Sequence, residues 1–115
     1  MKFIPVNRPL LSGNEKKYLI DCINTGYVSS VGKYVNKFED KFAKYIGKKY
    51  AVSVSNGTTA LQIAIDALML KKNSEVIIPA FTIISCIYPV IRNNLKPILV
   101  DSDIKTWNLD INLLK

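Results

Sequence analysis

The residues whose types and spacing best suit chemistry are Ser55-Asn56-Gly57-Thr58-Thr59. They follow a β-prone run, Tyr50-Ala51-Val52-Ser53-Val54, and open an apolar helical stretch from Thr58 to Leu70. Ligands of open α/β sheets bind beyond the carboxyl ends of strands. A helix that begins there turns unpaired backbone N–H groups, and the positive end of its dipole, toward an anion. Gly57 allows close approach of the backbone, and Thr58 and Thr59 add hydroxyl donors, so the segment reads as a phosphate seat. The same residues also read as an ordinary Asn-Gly turn with a Thr as the helix N-cap, and residue types alone do not choose between the two. Two carboxylates lie further on. Asp101 ends a strand-like run where a ligand could reach it, and Asp110 stands where a helix N-cap is expected.

The elements that must position these residues follow from periodicity. Ser12-Gly13-Asn14-Glu15 has capping-box spacing and precedes Leu19, Cys22 and Ile23 at helical intervals, which predicts a first helix to about Asn24. Thr25-Gly26 stops it, and Tyr27 to Gly32 is a polar loop. Val35, Phe38, Phe42, Tyr45 and Ile46 define a second amphipathic helix ending at Gly47, with the aromatics as its core face. After the run at residues 50–54 comes a third helix, apolar on nearly every side and so expected to be buried. Glu75-Val76-Ile77-Ile78-Pro79 and Lys96-Pro97-Ile98-Leu99-Val100-Asp101 are buried-type strands flanking a helix-like stretch from Thr82 to about Arg92, which Pro89 must kink or shorten. Strand, helix, strand, helix, strand is the order of a parallel α/β sheet. The division is roughly residues 1–47, N-terminal helices and a loop, and 48–115, the start of the sheet.

Composition excludes several classes. The 115 residues, 49% hydrophobic and 22% charged, suffice for one compact core. The net charge of +7 raises nucleic acid as a partner, but the lysines are scattered as short pairs and the only arginines are Arg8 and Arg92. We therefore expect no nucleic-acid partner. Cys22 and Cys86 sit within apolar periodic stretches as buried free thiols, consistent with a reducing cytoplasm. Pro5, Arg8 and Pro9 break up the N-terminus before a signal peptide could form, and no apolar run approaches the roughly 20 residues of a membrane span. No membrane association and no metal site are expected. The pattern stops in mid-element after Asp110, and a three-stranded sheet with one open face would leave apolar surface uncovered, so a longer polypeptide is expected.

Six segments in order then carry a resemblance over almost the whole chain. They are Thr25-Gly26-Tyr27-Val28-Ser29-Ser30 with Gly32; Phe38-Glu39; Ser55-Asn56-Gly57-Thr58-Thr59-Ala60-Leu61; Glu75 to Thr82; Pro97-Ile98-Leu99-Val100-Asp101; and Thr106-Trp107-Asn108-Leu109-Asp110. Together they resemble the DegT/DnrJ/EryC1/StrS family of pyridoxal-phosphate-dependent nucleotide-sugar aminotransferases, nearest its perosamine-type branch. The resemblance implies the N-terminal part of the large domain of the aspartate-aminotransferase fold, with a parallel α/β sheet. It assigns the cofactor phosphate of pyridoxal 5'-phosphate to Gly57, Thr58 and Thr59. Many members place an aromatic ring against the pyridine just after the Thr that matches Thr82; here that position is Ile83, so either Ile83 packs on the ring or Phe81 compensates. Phe81 also reads as a core aromatic at a strand end. Ser29 and Ser30 match a loop near the active site of a homodimer, where they would touch cofactor or sugar or simply be solvated.

The implied reaction is amino transfer, from glutamate, to a keto-deoxy sugar on a nucleoside diphosphate, with C4 favoured over C3. It requires a Schiff-base lysine and a carboxylate on the pyridinium nitrogen. The family supplies both after the region matched here, so the lysine is expected beyond Lys115, no catalytic residue is assigned within the chain, and these 115 residues alone should be inactive. Two alternatives remain: a non-catalytic remnant of the family, or a homologue in which histidine replaces the lysine and the reaction is dehydration.

Overall fold

The computed structural model describes residues 3–114. Two compact units divide the chain, one ending at Ser53 and the other beginning at Val54. Among the described residues, no helix is long and apolar enough to cross a membrane.

The first unit holds α1 (Glu15–Thr25) and α2 (Lys33–Tyr45). The expected capping box is shifted. The helix starts after Asn14 rather than Ser12, and Glu15 Oε2 accepts the N–H of Gly13 at 2.8 Å, reaching back two residues instead of three. Gly26 stops α1 as expected: its φ of 73° is left-handed, and its N–H bonds Ile23 O. Gly47, φ 65°, follows α2 in the same conformation. Lys33 Nζ lies 2.6 Å from Asp21 Oδ2 between the two helices, and that contact holds the Asp21 carboxyl below its usual range.

The aromatic face of α2 is not the closed core that its periodicity predicts. Phe38 and Phe42 stack at 5.7 Å but are 56% and 46% exposed. With Tyr18 and Leu19 of α1 they line an open groove of about 610 Å³. Periodicity reports which face is apolar, not what covers it, and no covering layer exists among the described residues of this unit.

The second unit is a parallel α/β fragment: α3 (Gly57–Ala67), β1 (Glu75–Pro79), a 3-10 turn over Ile84–Cys86, α4 (Tyr88–Arg92) and β2 (Lys96–Val100). β1 and β2 pair in parallel, with Ile77 opposite Ile98 and Pro79 opposite Val100. Ala80 N–H continues the ladder to Val100 O at 2.8 Å. Both strands fall where the sequence places them. Pro89 divides the helix-like stretch as expected, occupying the first turn of α4, where its missing N–H removes no helical bond. Ile78, Val90 and Leu95 form the core, with Ile65, Val76, Cys86 and Ile87 packed against it. Fully burying such aliphatic side chains contributes on the order of 1.5–3 kcal/mol each.

Three expectations need correction. Residues 50–54 form no strand: Tyr50 and Val52 are 73% and 76% exposed, and the ladder that would make the run a strand has no partner here. Helix α3 contains no buried residue: its main contacts are with the 3-10 turn and α4, and Leu61 and Ile63 stay exposed. Cys22 and Cys86 are free thiols but half-buried rather than buried.

Candidate functional site

The turn into α3 is built by Asn56. Its backbone is extended (φ −165°, ψ 170°), and its Oδ1 accepts the Thr59 N–H at 2.9 Å and the Thr59 hydroxyl at 3.2 Å. Asn56 O accepts the Ala60 N–H at 3.1 Å, the first intrahelical bond. This is a side-chain N-cap, and it engages both polar hydrogens of Thr59. The N–H groups of Gly57 and Thr58 have no hydrogen-bond partner among the described residues.

Gly57 has no left-handed backbone to justify it. A β-carbon built there meets nothing within 4 Å, so the space over it is open. Neither strain nor crowding inside the unit calls for glycine, whereas close approach by an outside group would. An anion fits this place: two backbone donors, the positive end of an 11-residue helix and open space over Gly57 converge there.

Thr58 turns the other way. Its hydroxyl lies 2.9 Å from Ser85 Oγ in a half-buried contact, tying the start of α3 to the 3-10 turn that follows β1. Ser85 is the site neighbour that sequence reasoning misses. Its only signal is a hydroxyl three residues after Thr82, on a stretch read as plain helix. Thr82 itself contacts Cys86 Sγ at 3.3 Å. The 3-10 turn that follows β1 therefore meets the start of α3 through this hydroxyl pair.

Phe81 and Ile83 follow β1, each 67% exposed. Phe81 is thus no core aromatic; its ring meets Trp107 at 5.4 Å and a 58° tilt. Asp101 is exposed, with Oδ1 accepting the neighbouring Ser102 N–H. Asp110 caps a short 3-10 turn, its Oδ1 accepting the Asn112 N–H at 2.9 Å. Ser29 and Ser30 belong to the first unit and are exposed, with Ser29 Oγ bonded to Val31 O and N–H. Also in that unit, Glu39 Oε1 accepts the Ser53 N–H at 2.7 Å and its hydroxyl at 2.8 Å. These bonds, the backbone one foremost, hold the Glu39 carboxyl below its usual range.

The parallel unit β1–α4–β2, preceded by α3 with its anion-compatible start, has the architecture of an α/β domain. The sequence family behind it is equally plain. A family described as the DegT/DnrJ/EryC1/StrS aminotransferase family matches residues 9–115, and the chain belongs to it. It is 43% identical over 112 residues to the GDP-perosamine synthase of Escherichia coli O157:H7, an alignment that covers 97% of this chain and 31% of that protein. Among solved structures, E. coli GDP-4-keto-6-deoxy-D-mannose-3-dehydratase with bound hydrated PLP superposes with a TM-score of 0.88 at 36% identity, over 96% of this chain and 30% of that one. An H188N mutant of a GDP-4-keto-6-deoxymannose-3-dehydratase with bound GDP-perosamine matches at a TM-score of 0.80 and 36% identity, over 90% and 28%. The fold is therefore that of the pyridoxal-phosphate-dependent sugar-modifying enzymes, and the chain spans about 30% of the length of these relatives.

Proposed function

We propose that this chain is the phosphate-anchoring portion of a pyridoxal-phosphate-dependent nucleotide-sugar aminotransferase. The observation that carries the reading is the pair of free N–H groups at Gly57 and Thr58 beneath open space, within a chain of this family. In the complete protein the cofactor would supply an electron sink for amino transfer. The chain's own residues have the anchoring task. Gly57 and Thr58 donate backbone N–H groups to the phosphate, and Asn56 holds the helix start in place by occupying Thr59. Thr59 sits one residue deeper and supports the turn, with its hydroxyl oxygen as a remaining acceptor. Phe81 and Ile83, at the carboxyl end of β1, border the space for the cofactor ring. Ser29 and Ser30 are proposed to contact the cofactor or sugar.

The substrate in this reading is a keto-deoxy sugar on a nucleoside diphosphate, aminated at C4 with glutamate as donor, by a cytoplasmic homodimer. The 43% identity to a GDP-perosamine synthase supports the sugar class. A second reading, dehydration, is favoured by the TM-score of 0.88 to a 3-dehydratase. One experiment separates them. The full-length polypeptide carrying this chain is incubated with a nucleoside-diphosphate keto-deoxy sugar and glutamate bearing labelled nitrogen. Label in the sugar, located at C4 by NMR, supports the first reading. A deoxygenated sugar without label supports the second, and no reaction together with no cofactor binding supports the non-catalytic remnant.

A further inference from the structure

Trp107 has no part in the phosphate seat, yet its backbone is left-handed (φ 60°), a conformation that bulky residues rarely adopt. A tight loop holds it there. Asp103 Oδ1 accepts the N–H of Lys105 at 3.0 Å, the N–H of Thr106 at 2.8 Å and the Thr106 hydroxyl at 3.0 Å. Trp107 N–H then bonds Asp103 O, and Asp103 N–H bonds Asn108 O, both at 2.8 Å. The antiparallel bridge between Ser102 and Leu109 closes the base of the loop just beyond β2. The result is an indole set against Phe81, two residues past the end of β1. Phe81 is the only aromatic residue from Pro79 to Ile87, and it remains 67% exposed.

An unsupported Phe at that exposure samples several rotamers, whereas a tilted aromatic neighbour favours the subset that keeps the edge-to-face contact. We propose that Trp107 is a positioning residue, which fixes the ring of Phe81 at the carboxyl edge of the sheet for contact with the cofactor's aromatic ring. This rests on the reading that the same edge seats pyridoxal phosphate. It explains how a chain with aliphatic Ile83 can present an aromatic surface there.

The test is titration of the full-length polypeptide with pyridoxal phosphate, reading the dissociation constant and the circular dichroism induced in the cofactor band, a signature of a fixed ring orientation. W107L, chosen to retain bulk, should weaken binding roughly 3- to 10-fold and diminish the induced signal. W107F should restore both. In the F81A background W107L should have no further effect, since it acts through Phe81. Wild-type affinity and dichroism in W107L, or equal losses from W107L with and without Phe81, would overturn the inference while leaving the phosphate seat intact. A wild-type protein that binds no pyridoxal phosphate would overturn both.

Discussion

Replacing Gly57 with alanine separates a glycine required by the fold from one required by a ligand. The φ of Gly57 lies outside the left-handed region, and an added β-carbon has no neighbour within 4 Å. Alanine should therefore fit without strain, and its higher helix propensity, at most about 1 kcal/mol in a helix interior, should leave stability equal or slightly raised. The ligand meets a different situation. A methyl group in the open space beside the two free N–H groups displaces the phosphate from at least one of them. A hydrogen bond to a charged group contributes about 1.5–3 kcal/mol, so pyridoxal phosphate should bind roughly 10- to 100-fold more weakly. Thermal unfolding of the cofactor-free full-length polypeptide and absorbance titration of the same sample read both arms. Unchanged affinity in G57A would refute the phosphate contact. Affinity lost in parallel with stability would show that glycine serves the fold.

Three further outcomes follow from the hydrogen bonds around the turn. Asn56→Ala removes the cap on Thr59 and should lower stability by about 0.5–2 kcal/mol in denaturant unfolding, while Asn56→Asp should retain most of it. Thr58→Val strands the Ser85 hydroxyl and should cost about 1 kcal/mol, with Thr58→Ser close to wild type in the same assay. The Glu39 carboxyl is held below its ordinary value by Ser53, so its contribution to stability is complete above that ordinary value and is lost as pH falls through the lowered one. The stability difference between wild type and Glu39→Gln should accordingly shrink on acidification through the carboxylate range; a difference independent of pH would contradict the Ser53 bonds.

Local signals account for what was legible in the sequence. Gly26 and Gly47 end their helices because a left-handed residue is needed there, and β1 and β2 carry apolar runs of strand length between turn residues. Pro89 marks the start of α4 because it has no N–H to lose at that position. Tyr50 to Val54 has the same β-prone look but no ladder, and a strand exists only with a partner. The aromatic stripe of α2 and the apolar sides of α3 likewise reveal a buried intention without naming the covering surface. In the site, the turn at Asn56-Gly57 was readable, but the cap is Asn56 where a Thr was expected, and the Thr58 and Thr59 hydroxyls are engaged by Ser85 and Asn56 rather than free as donors. The Thr58–Ser85 pair spans 27 residues, and the Phe81–Trp107 contact joins the segments that follow the two strands; neither has a periodic signature.

The start of α3 is proposed to bind the cofactor through its phosphate. The most direct measurement compares pyridoxal phosphate with pyridoxal, the same ring without the phosphate, binding to the full-length polypeptide that carries this chain. With two backbone donors engaged, pyridoxal should bind at least about 100-fold more weakly, and inorganic phosphate should compete with pyridoxal phosphate. Equal affinity for the two compounds, with no competition by phosphate, would contradict the account.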